Sequence, residues 1–290
     1  MKLGVSSYIY QKFLTTDKIV RAASLMGFEA VEIGLGMGCS LDILSRPSTI
    51  SKMLNRCSLV ASVHFPYKFI HDGILEYFDI IDEMKKEPRV TTKFLIKVCE
   101  FACKLNAHIL VIHAGGEKVA NDSRTQAHDC LIKTLKRLVT VAERQGLTLA
   151  LENSDARDNR LCQTIDEINY VLRGVDSNSL GICFDTAHAF SCGLKVASSI
   201  LCLGKNIVHF HLNDSVGGVG WKEHLAVGSG LIDWKETISA IHEIGFTGLS
   251  ILEGGVAGTK KNTDSGLLQQ KEYISGLVRT HNGAPQKNVR

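Results

Sequence analysis

The sequence predicts an α/β protein in which eight strand–helix units close into a parallel (β/α)8 barrel. Short apolar runs alternate with amphipathic stretches of helical spacing from Leu3 to Leu252. Six of these runs close on a group able to bind a cation: Ser-Val-His64, Val-Ile-His113, Leu-Ala-Leu-Glu152, Ile-Cys-Phe-Asp185, Val-His-Phe-His211 and Ser-Ile-Leu-Glu253. The length of 290 residues is close to the usual size of such a barrel and near the upper limit for one hydrophobic core. A single strand-terminal histidine or carboxylate reads most simply as a paired or solvated side chain. Six in register place a polar site at the C-terminal rim of the barrel.

The elements follow in order. Residues 3–6 form the first strand, and Thr15-Thr16-Asp17 caps a helix through Met26 that Gly27 ends. Residues 29–33 are the second strand. A helix over 40–56, interrupted by Pro47, leads to a strand at 59–64. The stretch 65–90, bounded by Pro66 and Pro88, is expected to be a rim loop with short helical pieces. Phe94, Leu95, Val98, Cys99, Ala102 and Leu105 have helical spacing and precede the strand 109–112, after which Gly115-Gly116 permit a tight turn. A helix over 125–145 stops at Gly146 before the strand 147–151, and Thr164-Ile-Asp-Glu167 fits a capping box. A strand at 180–184, a short helix near 195–203, a strand at 207–211, a helix at 234–244 stopped by Gly245, a strand at 249–252 and a helix at 264–279 complete the alternation. No linker interrupts it, so residues 1–280 are read as one domain. The tail 281–290 lacks apolar periodicity and is expected to be disordered.

Composition narrows the function classes. Hydrophobic residues make up 44% and charged residues 22%, and the formal charge of +3 neither demands nor excludes nucleic acid. The nine cysteines (39, 57, 99, 103, 130, 162, 183, 192 and 202) contain no CxxC pair, which argues against a zinc ribbon or a thioredoxin-type motif. Their odd number, with no secretory segment and no run long enough to span a membrane, leads to the expectation of a cytoplasmic protein with reduced thiols. Neither a Walker A motif nor a GxGxxG fingerprint occurs, and Gly34-Leu-Gly-Met-Gly38 has the wrong spacing for one.

The candidate site is richer. Glu152, Asp185, His211 and Glu253, at the ends of the fifth to eighth strands, offer one imidazole and three carboxylates. That set suits Mn²⁺, Mg²⁺, Co²⁺ or Zn²⁺. His64 and His113 add nitrogen donors on the neighbouring arc, while His188 and His224 lie in the loops beyond. Nitrogen favours zinc and the carboxylate-rich arc favours manganese, so the metal stays open between them. Trp221 is placed to wall a substrate pocket or to fill core. His209 is expected to face the helical layer as a packed histidine, and Lys133, Lys136, Arg137 and Arg144 to form a solvated helix face.

Eight stretches carry a resemblance. They are Gly27-Phe-Glu-Ala-Val-Glu-Ile33, His64-Phe-Pro-Tyr67, Ile112-His-Ala-Gly115, Leu151-Glu-Asn153, Phe184-Asp-Thr-Ala-His188, His211-Leu-Asn-Asp214, Glu223-His-Leu-Ala-Val-Gly228 and Leu252-Glu253. In this order they resemble the motifs of the xylose isomerase-like TIM barrel superfamily, which includes sugar phosphate isomerases/epimerases and endonuclease IV (AP endonuclease family 2). The resemblance implies that Glu152, Asp185, His211 and Glu253 form the shared metal quartet. It implies further that Glu152 and Glu253 face a sugar and move its proton, as the matching residues do in family epimerases. The nine ligands that hold three zinc ions in endonuclease IV match His64, His113, Glu152, Asp185, His188, His211, Lys222, His224 and Glu253. Lys222 is the departure, because that family has aspartate there. Tyr67 matches a tyrosine near the abasic site.

An ammonium at 222 beside His188 and His224 is expected to leave that set short of a ligand, with Glu223 pointing away from it, and so fewer than three metals per chain. Tyr67, Trp221 and Lys222 are then expected to meet substrate. Val-Glu-Ile-Gly34 and Lys222 tilt the reading toward a metal-dependent sugar or sugar phosphate isomerase/epimerase. A zinc-dependent abasic-site DNA endonuclease of the endonuclease IV type is the alternative, favoured by His211-Leu-Asn-Asp-Ser215 and the histidine complement. A metal-binding barrel without catalysis is the third.

Overall fold

A computed structural model describes residues 1–10, 14–36, 41–66, 68–71, 74–77, 79–115, 123–157, 160–255 and 259–283. Its strands are β1 (Lys2–Ser6), β2 (Ala30–Gly34), β3 (Val60–His64), β4 (Lys68–His71), β5 (Ile74–Tyr77), β6 (Ile109–His113), β7 (Thr148–Glu152), β8 (Leu180–Asp185), β9 (Ile207–Leu212) and β10 (Leu249–Leu252). Its α-helices are α1 (Thr16–Leu25), α2 (Pro47–Arg56), α3 (Ile80–Lys86), α4 (Pro88–Lys104), α5 (Arg124–Arg144), α6 (Ile165–Val175), α7 (Thr186–Ser191), α8 (Val196–Leu203), α9 (Trp234–Glu243) and α10 (Lys260–Gly283). Eight strands close a barrel in the order β1, β10, β9, β8, β7, β6, β3, β2, and each neighbouring pair is parallel.

Burial explains why apolar runs became these strands. Both faces of β2 and β8 are buried along their whole length, as a parallel sheet wrapped by helices requires. Outward-facing Val31, Ile33, Leu110, Ile112, Leu149, Leu151, Ile182 and Phe184 pack under the helices. The helices answer with stripes at helical spacing, such as Leu95, Val98, Cys99 and Ala102 on α4 and Leu131, Leu135, Leu138 and Ala142 on α5. Full burial of each large apolar side chain contributes roughly 1.5–3 kcal/mol. Gly245 stops α9 at φ 68°, a left-handed position where a β-carbon is strained.

Inside the barrel, polarity changes along the axis. Ala30, Leu249 and Ile251, together with Val111, Ala150 and Cys183, fill the lower part. Two residues further along the same inner faces stand Glu32, Glu253, His113, Glu152 and Asp185. The apolar floor thus supports a polar upper layer at the C-terminal ends of the strands.

Three expectations need correction. The stretch after β3 contains an antiparallel hairpin, β4 with β5, rather than only short helical pieces. Pro88 opens α4 instead of closing a loop, because proline suits the first turn of a helix, where its missing N–H is no loss. α10 runs through Gly283, so 281–283 continue the helix past the expected boundary at 280; residues 284–290 lie outside the described residues. Among the described residues, no helix is long and apolar enough to cross a membrane.

Candidate metal centre

The strand ends bring the expected residues together. One ligand atom each of Glu152, Asp185, His211 and Glu253 lies within 4.8 Å of the others, a spacing one ion can bridge. His64, His113 and Glu152 form a second such group, and Asp185, His188 and His224 a third. Glu152 and Asp185 each belong to two groups. His211 Nδ1 stands 3.1 Å from Glu152 Oε1 and 3.1 Å from Glu253 Oε2. His188 Nε2 faces His224 Nε2 at 3.1 Å.

Local sequence sets these positions. Asp185 ends β8 and caps α7, its Oδ1 accepting from the His188 N–H at 2.8 Å, so the Asp-Thr-Ala-His spacing delivers both side chains to one place. Asn213 Nδ2 donates to Asp185 Oδ2 at 2.6 Å and fixes that carboxylate further. His224 adopts φ 53° and is anchored by its carbonyl, which accepts from Gly255 N at 2.9 Å. The excursion carrying it is closed by Asp214. Its Oδ1 accepts from the N–H of Ser215 (2.9 Å) and Ile232 (3.2 Å), its Oδ2 from Gly228 N (2.9 Å) and Trp234 Nε1 (2.8 Å).

Outer partners orient the imidazoles. A carbonyl only accepts, so His64 Nδ1–H donates to Phe65 O at 2.8 Å and His188 Nδ1–H to Asn153 O at 2.9 Å. In each case Nε2 is left facing the centre. His211 is turned the other way: Nε2 donates to Glu32 Oε1 at 3.0 Å, and Nδ1 faces the quartet carboxylates. Histidines that hand one N–H outward and turn the other nitrogen inward are arranged as metal ligands are.

The electrostatics point the same way. Burial opposes charge on His188, yet Asp185, Glu152, Asp155 and Glu223 raise its pKa to about 9. Burial likewise opposes charge on His211, and the surrounding acids hold it well above the usual imidazole range. Burial pushes Glu152 up, but His113 and His211 hold it well below the ordinary carboxylate range. Burial lowers His113 to about 3, with Glu152 only partly opposing. A buried carboxylate cluster that draws protons onto its histidines is one that lacks positive charge, and a divalent cation supplies it while displacing those protons. The residues present therefore fit a divalent metal.

Several residues were not legible as site components. Glu32 is fully buried and joins the centre from below, also accepting from His209 Nε2 at 2.9 Å and Ser62 Oγ at 2.9 Å. His209 points inward, not to the helical layer, because residues two apart on a strand share a face; β9 pairs His209 with Cys183 and His211 with Asp185. Tyr8 stands over Gly34, where a β-carbon would come within 2.4 Å of its Cζ, and its ring meets that of His64 at 5.3 Å between centroids. Lys222 is exposed with its side chain along Gly218, and Asp185 completes the His188–His224 group without it. Asp185 is shared with the quartet, so His188 and His224 are the two donors that this group has to itself. Tyr67 and the side chain of Trp221 lie outside the described residues. Above the groups opens a cavity of about 220 Å³ lined by Tyr8, His64, His113, Glu152, Asp155, Arg157, Arg160, His188, His224 and Glu253.

A closed parallel barrel with buried carboxylate and imidazole donors at its C-terminal rim defines the class of barrel in which a site is built on strand ends. The chain belongs to the xylose isomerase-like TIM barrel family, whose sequence profile matches residues 20–273. Among curated relatives, an uncharacterised protein of Methanocaldococcus jannaschii is 26% identical over 259 residues, covering 87% of this chain and 83% of that protein. A protein of Mycobacterium leprae named "probable endonuclease 4" is 27% identical over 240 residues, covering 80% of this chain and 87% of its own length. Among solved structures, a D-tagatose 3-epimerase-like protein superposes with a TM-score of 0.80 at 24% identity, covering 98% of this chain and all of that one. At that identity the likeness concerns the fold.

Proposed function

We propose that this protein is a metal-dependent isomerase or epimerase of a small sugar or sugar phosphate, working by proton transfer next to a carbonyl. The observation that carries this reading is that Glu152 and Glu253 both line one small cavity and converge on the same nitrogen, His211 Nδ1, at 3.1 Å each. Glu152, Asp185, His211 and Glu253 would hold a divalent ion, Zn²⁺ or Mn²⁺, with Mg²⁺ or Co²⁺ as alternatives. When bound, such an ion supplies Lewis-acid polarisation of a carbonyl oxygen, which acidifies the neighbouring C–H.

The chain's own groups do the rest. Glu152, held as an anion against its burial with the raised His211 beside it, has the free carboxylate needed to take up a proton. Glu253 exchanges a proton on the other side of the substrate carbon. Tyr8, wedged over Gly34 and bonded through Oη to Leu35 O at 2.9 Å, gives the cavity a rigid aromatic wall and helps to exclude water. The structural likeness to an epimerase-like protein supports this reading.

A second reading, zinc-dependent hydrolysis of abasic-site DNA, is favoured by the two further donor groups, His64–His113–Glu152 and Asp185–His188–His224. An isomerase needs only the quartet, whereas phosphoester hydrolysis uses several ions a few ångströms apart. The relative named as an endonuclease supports it too. One experiment separates the two. The metal-loaded protein is incubated in D₂O with ketoses and ketose phosphates and, separately, with an abasic-site duplex. Deuterium entering the carbon next to the carbonyl, without strand cleavage, is the expected result. Chelator-sensitive nicking without exchange would replace the first reading by the second.

A further inference from the structure

One wall of the cavity comes from the loop after β7 and plays no part in either reading so far. Asp155 is fully buried there and organises two arginines. Its Oδ2 accepts from Arg157 Nε at 2.9 Å and Nη2 at 2.5 Å, and from Arg160 Nη1 at 3.4 Å, while its Oδ1 accepts from Arg157 N at 2.9 Å. Glu223, 3% exposed, has neither carboxylate oxygen hydrogen-bonded, and its Oε2 stands 3.8 Å from Arg157 Nη2. Arg157 is thus held between two buried negative charges. The backbone beneath is pinned as well: Gln163 Nε2 donates to Asp155 O at 2.6 Å and Arg124 Nη2 to Arg160 O at 3.0 Å.

We propose that Arg157 and Arg160 form an oxyanion subsite that receives a phosphate group of the substrate, so that the sugar handled at the metal centre is a phosphorylated one. The proposal rests on the small-substrate reading above and names its substrate class. A loop staple alone would bury its ion pairs. Here Asp155 and Glu223 are buried, Asp155 bordering the cavity from behind the arginines' bonds, while 37% of the Arg157 side chain and 14% of the Arg160 side chain are exposed. Among the described residues the wall sets two buried acids against two arginines that are the more exposed. Guanidinium is the group whose planar fork matches a phosphate edge, and prior fixation by Asp155 and Glu223 removes most of the ordering cost of binding. Both arginines line the same cavity as His113, Glu152 and His188, which puts the subsite beside the donor groups.

The test is isothermal titration of inorganic phosphate into the full-length protein carrying its own metal, with metal content measured for every variant. Wild type is expected to bind, and Arg157→Gln and Arg160→Gln each to bind about tenfold or more weakly at unchanged metal content. Arg157→Lys, which keeps a charge for Asp155 and so guards the fold, is expected to lie between them. Absence of binding by wild type, or equal binding by the folded variants, overturns the subsite. In a second arm, kcat/KM is compared for a sugar and its phosphate. Isomerisation without preference for the phosphate overturns the subsite and leaves the isomerase reading standing. Arginine-dependent phosphate binding without any isomerisation keeps the subsite and overturns that reading.

Discussion

Glu32→Gln removes one negative charge from the middle of the barrel while keeping the shape of the side chain. Glu32 is fully buried and accepts from His209 Nε2 (2.9 Å), His211 Nε2 (3.0 Å) and Ser62 Oγ (2.9 Å). Burial pushes its carboxyl up, but His211 and His209 outweigh that and hold it well below the ordinary range, so the native group is an anion. Glutamine keeps a single acceptor oxygen, so at least one histidine bond is lost or reversed. A hydrogen bond to a charged group is worth about 1.5–3 kcal/mol, and that is the expected loss of folding stability. Alanine would leave the imidazoles without a counter-ion at about 3–5 kcal/mol, a large part of a typical total of about 5–15, which makes glutamine the more informative change. The second consequence concerns the metal. The bond at Nε2 is what aims His211 Nδ1 at Glu152 and Glu253, and losing an outer partner of this kind costs about 10- to 100-fold in metal affinity. Urea unfolding gives the first quantity, and zinc or manganese competition against a chromophoric chelator gives the second. A folded variant with lowered stability and wild-type metal affinity would refute the positioning role.

Three other outcomes follow from the same geometry. Glu253→Gln should fold normally and lose about 10²–10⁴ in turnover on the identified substrate, checked by steady-state kinetics beside circular dichroism. Lys222→Ala should leave metal content per chain unchanged, because the Asp185–His188–His224 group forms without it; loss of an ion in elemental analysis would contradict this. Burial raises the Asp155 carboxyl, yet the Arg157 hydrogen bonds and nearby positive charges lower it from 3.8 to about 2. Since its folded value is depressed, its contribution of about 2 kcal/mol is present above roughly pH 4 and is lost as pH falls through 2. The stability gap between wild type and Asp155→Asn should therefore narrow between those values in urea titrations, and a gap independent of pH would show that Asp155 is not the group responsible.

The barrel was legible because its signal is local. A parallel strand buried on both faces is a continuous apolar run, and the residue that ends it is visible beside it, as with Glu152 and Asp185. Glu32 escaped for the opposite reason. Flanked by Val31 and Ile33, it reads as the solvent side of a half-buried strand, and only closure of the barrel turns that side inward. His209 was misplaced although the relevant rule, a period of two, was available: its parity with His211 was enough to bring it inside. Asp155, Arg157 and Arg160 look like an ordinary polar loop, since burial of a loop acid depends on what packs over it. Lys222 stands exposed at a position where the motif match places a ligand, and Asp185, which stands beside His188 and His224, comes from β8 and is shared with the quartet, a sharing that only the closed barrel makes visible.

The carboxylate of Asp214, with its four bonds to Ser215, Gly228, Ile232 and Trp234, bears on how this barrel can change its preferences. It ties both feet of the excursion after β9 to one point, and inside it Asp214 N donates to Leu225 O at 3.0 Å, Leu225 N to Asp214 O at 2.9 Å and Val216 N to Lys222 O at 3.1 Å, which closes the tip off from His224. Val216 and Val219, 39% and 40% exposed, belong to that tip. Residues there can be exchanged, lengthened or shortened without shifting a donor at the centre. The molecule thus has a replaceable fingertip mounted on a fixed knuckle, and directed evolution toward a new substrate would begin at 216–220.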